Sequence, residues 1–235
     1  MPINRLPFGD VVSEVREHTS LLLGTTIGYS DEDWAVATGL SGWSRSHVAS
    51  HLVEGARAMV RVIGELHDGV QRELYGSRHE DHHAIELGAI SGGLELQISL
   101  DTSASELQEL LSALEGDERQ IRLRDGYHIP AKHIPHARLS EVVLHHFDLD
   151  GSFNPAQLTP SVALALLQFH VERIGHRDDY PPLRLVADEG YEGTVGRAAD
   201  PAAFHGPAAD LLAWLMRGVE SSRIYRSDDE HTDGS

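Results

Sequence analysis

The spacing of apolar residues changes near Gly151, and this change constrains the fold more than any other feature of the chain. Before Gly151, apolar residues recur every three or four positions over long stretches, which is the period of an amphipathic α-helix. After it, the segment LRLVAD at 183–188 alternates in the manner of a half-buried strand, and Gly190, Gly193 and Gly196 punctuate further short strands. The pattern predicts an N-terminal helical bundle and a small C-terminal α/β domain.

Local start and stop signals place the elements within these two parts. In the helical part we expect a helix over Phe8–Leu23, a helix from its N-cap Ser44 to near Gly69, a connection and part of a third helix over 77–101, a helical stretch that begins at Ser105, an extended piece over 121–129, and a helix from about Ala137 to Leu149. In the second part, Thr159 or Ser161 caps a helix, and Pro207 suits the first position of the last helix. The predicted domains are 1–152 and 153–225, followed by a disordered polar tail at 226–235.

The charge balance limits the partners that the protein can have. Its 235 residues carry a formal net charge of −18, which repels nucleic acid and anionic membrane surfaces. An anionic small-molecule substrate would need a local cationic group to receive it. The N-terminal region has no signal-peptide pattern, and no apolar run approaches the length of a membrane span, so we expect a cytoplasmic protein without a nucleic-acid or membrane partner. The sequence does not decide the oligomeric state, and a monomer is the simplest expectation.

The chain contains no cysteine. Disulfides, thiolate metal ligands and a cysteine nucleophile are therefore excluded. Any sulfur chemistry would have to use a sulfur atom of a bound cofactor or substrate. Histidine is abundant by contrast, with 16 residues, so chance pairs at helical spacing are expected, and no role is assigned to the His-rich segment at 79–83.

Three residues form a candidate metal-binding set on two predicted helices. Glu141 and His145 lie four positions apart, so they project from the same face of one helix, and His51 lies at the edge of the apolar stripe of another. Two imidazoles and one carboxylate leave a coordination position open, which distinguishes a catalytic zinc site from a structural one. An iron(II) oxygenase uses the same ligand types, but its usual scaffold is a β-barrel, so this class is disfavoured.

Each of these residues also has an ordinary structural explanation. A single histidine beside an apolar stripe, such as His51, is more often a core or boundary residue than a ligand, and His47 competes with it as a ligand one turn earlier. Glu141 and a protonated His145 could form a helix ion pair. Asp148 is either a hydrogen-bond acceptor for a ligand histidine or a solvated residue near the helix end.

Arg217 is the candidate anion-binding residue in the C-terminal domain. It falls in the last turn of the predicted final helix, immediately before Gly218. A cation at this position is favoured by the helix dipole, and the glycine suits a C-cap, so Arg217 requires no function. Trp43 and Trp214 are interpreted as packing residues.

Three segments of the chain, taken together, resemble the mycothiol-dependent maleylpyruvate isomerases. They are GWSRSHVASH at 42–51, SEVVLHHFDL at 140–149 and GPAADLLAWLMRG at 206–218. The resemblance implies a DinB-like four-helix metal-binding domain followed by a small domain similar to sterol carrier proteins. It also implies that His51, Glu141 and His145 are zinc ligands and that Arg217 is the functional arginine. Trp214, Leu215 and Met216 replace the usual small residues before that arginine, which implies a different pocket wall.

The implied activity is a zinc- and thiol-dependent cis-trans isomerisation, with maleylpyruvate, mycothiol and fumarylpyruvate as substrate, thiol and product. In the family mechanism, a thiolate adds to the cis double bond, the resulting single bond rotates, and elimination gives the trans isomer. No thiol-binding residue is assigned, and another low-molecular-weight thiol would serve the same chemistry. The sequence leaves three alternatives open: a thiol S-transferase, a metal-dependent hydrolase and a non-catalytic binding module.

Overall fold

The computed structural model describes residues 6–68, 74, 78–123, 127–149, 153–175, 180–198 and 200–227. The chain divides into two compact units, Phe8–Ser152 and Phe153–Ser235, the second of which includes Met1–Pro7. The first unit is mainly helical, and the second combines helices with a four-stranded sheet. The predicted fold class, a helical bundle with a small α/β domain, is confirmed.

Among the described residues, four long α-helices form the bundle of the first unit, together with two shorter ones. Its helices are α1 (Phe8–Thr26), α2 (Asp31–Trp34), α3 (Arg45–His67), α4 (Arg78–Ala89), α5 (Gly93–Leu111) and α6 (Ile134–Leu149). Helices α1 and α3 each pack against both α5 and α6, and α4 packs against α3. The antiparallel strands β1 (Gln120–Arg122) and β2 (His128–Pro130) form a hairpin in the predicted extended piece. Leu22, Val48, Leu52, Leu100 and Val142 belong to the apolar core that joins these helices.

Helix α3 begins where its sequence predicts. Ser44 is the N-cap, and the His47 side chain reaches back to accept a hydrogen bond from the Ser44 backbone N–H at 3.2 Å. This reciprocal arrangement satisfies a donor that the helix itself leaves unpaired. Val48, Leu52 and Met59 then bury one face of the helix.

The prediction of a helix within 77–101 agrees with the structure, but the predicted connection before it and the helix start at Ser105 were wrong. Residues 78–89 form helix α4 instead of a connection, and α5 begins at Gly93, so Ser105 lies inside a helix and does not start one. Buried side chains continue through α5 from Leu96 to Leu107, while Ser105 is exposed. Serine is a common N-cap, but here the apolar periodicity on both sides of it sustains the helix.

The second unit contains two helices and a mixed sheet. Its elements are α7 (Pro160–Ile174), β3 (Leu183–Ala187), β4 (Tyr191–Val195), β5 (Ala202–Gly206), α8 (Ala208–Arg217) and β6 (Tyr225–Arg226). The strand order is β4-β3-β5-β6, in which β3 and β5 are parallel and the other two pairs are antiparallel. Helices α7 and α8 pack together; α7 also contacts β4, and α8 contacts β3 and β5.

The ends of the helices in this unit differ slightly from the predictions. Thr159 is the N-cap of α7, while Pro207 is the N-cap of α8 and not its first helical residue. Arg226 pairs with Phe204 in the sheet, and 228–235 of the predicted disordered tail lie outside the described residues. In the part of the chain that the structure describes, no helix has both the length and the hydrophobicity of a membrane span.

Candidate metal centre

His51 and His145 meet where α3 packs against α6. Their imidazole rings lie edge to face, with centroids 4.7 Å apart and ring planes at 78°. The Trp43 indole lies on His51 as well, with ring centroids 5.4 Å apart. Two of the three predicted ligands, from distant parts of the sequence, are therefore in contact.

Glu141, the third predicted ligand, lies one turn before His145 on α6. Its carboxylate rests against Gly55, which follows His51 by one turn on α3. A Cβ atom built on Gly55 would lie 3.0 Å from Oε2 and 3.3 Å from Oε1 of Glu141. The absence of a side chain at Gly55 thus lets the carboxylate approach the α3 backbone, on the same stretch of helix that presents His51.

Asp148 determines which nitrogen of His145 can act as a ligand. Its carboxylate lies 2.8 Å from Nδ1 of His145, and only 4% of the Asp148 side chain is exposed. An ionised carboxylate can only accept a hydrogen bond, so Nδ1 carries a proton, and in the neutral ring Nε2 carries the lone pair. Of the two interpretations that the sequence leaves open for Asp148, the structure thus shows a buried acceptor for His145.

The His47 side chain contacts Ser44 and Glu86. Its Nδ1 accepts from the Ser44 backbone and lies 2.8 Å from the Ser44 hydroxyl. Because Nδ1 is an acceptor, the ring proton is on Nε2, which faces the Glu86 carboxylate of α4 at 3.5 Å. The structure therefore places His51, and not His47, beside His145.

Arg138 is a residue of this site that the sequence reasoning missed. It is 2% exposed, and its Nη1 donates to the Leu52 carbonyl at 2.9 Å and to Oε2 of Glu141 at 3.3 Å. The signal in the sequence is an arginine three positions before a glutamate within an apolar helix, a spacing at which the two side chains meet.

The residue types around this point suit a divalent metal ion. Two imidazole nitrogens and a carboxylate oxygen form a zinc ligand set. A histidine that binds a metal through one nitrogen usually donates a hydrogen bond from the other, often to a carboxylate. Within the described residues, however, no three His, Asp or Glu side chains are arranged as a metal-binding group.

Arg217 lies in the second unit, as the last residue of α8. Gly218 follows with φ 66°, a left-handed C-cap, as the sequence predicts. Nη1 of Arg217 donates to the Met216 carbonyl at 2.9 Å, and the side chain is half-buried. The charge of Arg217 also acts on His170 of α7, whose pKa is lowered to about 3 by burial first and by Arg173 and Arg217 next.

Trp214, one of the residues that replace the usual small ones, packs on Phe204 with ring centroids 4.8 Å apart. Both rings line a cavity of about 580 Å³ in the second unit. Trp214 therefore has the predicted packing role and also forms part of the wall of this cavity.

Comparison with known proteins gives a matching family model and several similar solved structures. The family model of the mycothiol maleylpyruvate isomerase N-terminal domain matches residues 15–150. A crystal structure of a mycothiol-dependent maleylpyruvate isomerase shares 18% identity and a TM-score of 0.82, covering 95% of this chain and 94% of that one. A mutant of such an isomerase, with a histidine replaced by alanine, has 17% identity with the same TM-score and coverage.

At this level of identity, the two structures show a shared fold. No curated protein matches the chain. The family model spans more than half of the sequence and includes His51, Glu141 and His145. The chain therefore belongs to the family defined by the mycothiol maleylpyruvate isomerase N-terminal domain.

Proposed function

We propose that this protein is a zinc- and thiol-dependent cis-trans isomerase that converts maleylpyruvate to fumarylpyruvate with mycothiol. The observation that carries the proposal is the contact between His51 and His145, whose ring centroids lie 4.7 Å apart, with Glu141 one turn before His145 on the same helix. Membership of the family supports the same activity, and the two similar structures described above are of mycothiol-dependent maleylpyruvate isomerases.

His51, Glu141 and His145 would hold the zinc ion. When bound, zinc supplies an open position at which a thiol is deprotonated to the nucleophilic thiolate. Asp148 keeps the proton on Nδ1 of His145, so that the lone pair of Nε2 is available. Because Glu141 is the one anionic ligand, the set leaves a divalent ion with a net positive charge.

The thiol must come from outside the protein. Reversible addition requires a nucleophile, here a thiolate sulfur, that forms a bond to one alkene carbon. The sulfur later leaves that carbon and takes both electrons of the bond with it. The chain has no cysteine and so has no thiol of its own. A small thiol such as mycothiol fills this role and is regenerated in each turnover.

Arg217 is proposed to hold a carboxylate of the substrate. Its guanidinium can donate two parallel hydrogen bonds to a carboxylate and can stabilise the enolate charge that develops during addition. A protein with a net charge of −18 needs such a local cation to receive a dianionic substrate.

A turnover assay with purified protein tests the proposal. Zinc-loaded protein should isomerise maleylpyruvate with mycothiol, should be inactive without thiol or after chelation of zinc, and should saturate with thiol concentration. Treatment with an alkylating agent that is removed before the assay should leave the rate unchanged. His51→Ala should abolish turnover, while His47→Ala, the matched control one turn away, should retain it.

Three outcomes would contradict the proposal. Full turnover by dialysed protein without thiol would point to zinc-bound water and a hydrolase. Stoichiometric consumption of thiol with release of a stable adduct would indicate an S-transferase. Bound zinc with no turnover on any thiol or ester substrate would indicate a binding module.

A further inference from the structure

Arg138 places a positive charge inside the helical bundle. The residue is 2% exposed on α6, and its neighbour Leu139 is fully buried. Burying a guanidinium is unfavourable unless hydrogen bonds and an opposite charge compensate for the lost hydration. The charge partner is Glu141, at 3.3 Å, with 3% of the Arg138 side chain and 14% of the Glu141 side chain exposed.

The same nitrogen of Arg138 also reaches the other helix of the candidate centre. Nη1 donates to the Leu52 carbonyl at 2.9 Å, and Leu52 directly follows His51 on α3. A carbonyl oxygen has two lone pairs, so it can accept this bond in addition to the bond of its own helix. Arg138 thus links the backbone beside one candidate ligand, His51, to the side chain of another, Glu141.

This link also distinguishes the two oxygens of Glu141. Oε2 receives the hydrogen bond from Arg138, and both oxygens lie within 3.3 Å of the Cβ position of Gly55. A carboxylate oxygen held by a guanidinium is a weaker metal donor than its partner, because part of its charge is already neutralised. Oε1 therefore keeps more of its charge than Oε2 and would be the stronger donor to a bound ion.

We infer that Arg138 is a positioning residue for the candidate metal centre, which holds the carboxylate of Glu141 against the helix that carries His51. The inference rests on the proposed function, because it gives Arg138 its role through the zinc ligand Glu141. In this role Arg138 acts through Glu141 and is not itself a ligand. Its contribution is to set the orientation of the carboxylate before zinc binds, and so to raise the affinity for zinc.

The test is a double-mutant cycle on zinc affinity, measured by competition with a chromophoric chelator. Arg138→Met should weaken zinc binding by about 10–100-fold in the protein with Glu141, the range for loss of an outer partner. The same substitution should have little further effect in Glu141→Gln. Arg138→Lys, which keeps the charge but offers a point donor, should bind zinc with an intermediate affinity. Circular dichroism and thermal melting should accompany each variant.

Arg57→Met is the matched control. Arg57 also pairs with a glutamate three positions away, Glu54, at 2.8 Å, but it lies on the exposed surface of α3. This variant should bind zinc with the affinity of the unmodified protein. If Arg138→Met does not fold, Arg138→Lys carries the test alone, because a folded Lys variant with unchanged zinc affinity would overturn the inference.

The outcomes separate this inference from the proposed function. Unchanged zinc affinity in Arg138→Met with a lowered melting temperature would leave Arg138 as a structural residue, and the proposed function would stand. A second contrary outcome is that Arg138→Met lowers the zinc affinity of the unmodified protein and of Glu141→Gln by the same factor. This result would overturn the inference, because Arg138 would then act without Glu141. Unmodified protein that binds no zinc would overturn both.

Discussion

His145 and Asp148 form a largely buried pair on α6, in which the carboxylate lies 2.8 Å from Nδ1 and fixes the proton there. The His145 ring also contacts the His51 ring of α3 edge to face, at 4.7 Å between ring centroids. A histidine with its proton fixed by a carboxylate presents Nε2 as a donor in a defined direction. The pair therefore gives the candidate centre one preoriented ligand.

The first prediction concerns which histidines bind zinc. His51→Ala and His145→Ala should each lose most of the bound zinc, because each removes one of three proposed ligands. His47→Ala should retain it, since the His47 ring serves the N-terminus of α3 and faces Glu86. Metal analysis of the purified variants measures this. Stoichiometric zinc in both of the first two variants, or its loss in His47→Ala, would refute the assignment.

The elements that the sequence predicted well are those with local signals. Helix α3 has the Ser44 N-cap and a regular apolar stripe, and β3 has the alternation of LRLVAD between turn residues. Helix α4 lacks such signals. Ile85 is buried, but Leu87 is 54% exposed, and the helix approaches α3 through Gly88, where a Cβ would lie 2.2 Å from the Ser50 hydroxyl. A close helix approach of this kind depends on tertiary packing, which periodicity does not report.

The residues of the candidate site also divide into those with a local sequence signal and those that depend on tertiary packing. Spacing alone predicted that Glu141 and His145 share a face of one helix, and the choice of His51 required the resemblance. Arg138 was missed because an arginine in a helix is usually solvated. Its burial depends on the Leu52 carbonyl, which belongs to another helix and carries no sequence signal.

The second prediction concerns Arg217. Arg217→Ala should lower kcat/KM by about 100-fold or more, the loss expected when a charge-stabilising donor is removed, while zinc content stays unchanged. The cost to stability should be small, about 0.3–1 kcal/mol for the helix-dipole interaction. Arg217→Lys should restore little activity, because a point charge does not reproduce bidentate binding. Normal kinetics together with a lower melting temperature would assign Arg217 to the helix end alone.

The third prediction concerns acid stability. The pKa of His170 is about 3 in the folded protein against an ordinary value of 6.5, chiefly because the ring is buried. Between these pH values the unfolded chain binds a proton that the folded protein does not. The free energy of unfolding should therefore fall as pH is lowered below about 6.5, with a slope of up to about 1.4 kcal/mol per pH unit from this residue.

Urea unfolding of His170→Leu across this pH range measures that contribution. In this variant, the slope of the free energy of unfolding against pH should decrease by up to the contribution of one proton, about 1.4 kcal/mol per pH unit. This decrease is expected whatever the stability of the variant at neutral pH. His83→Gln, an exposed histidine on α4, is the control and should keep the full slope. An unchanged slope in His170→Leu would show that other groups, such as the buried His18 with its lowered pKa, govern acid unfolding.

The last prediction separates zinc binding from stability at Gly55. In Gly55→Ala the new Cβ would lie 3.0 Å from Oε2 of Glu141, so the carboxylate must move by a few tenths of an ångström. Alanine in a helix interior is about 0.5–1 kcal/mol more favourable than glycine, which offsets the strain in the fold. Zinc affinity should therefore fall by about 10-fold or more, as for other misplaced ligands, without a lower melting temperature.

Gly64→Ala is the matched control for this test, because Gly64 lies on the same helix and a Cβ there would meet nothing within 4 Å. It should raise the melting temperature and leave zinc affinity unchanged. If Gly55→Ala instead binds zinc as tightly as the unmodified protein, the close approach of Glu141 to α3 is not needed for metal binding. Glu141 would then reach the metal from a different position, or another residue would replace it as the third ligand.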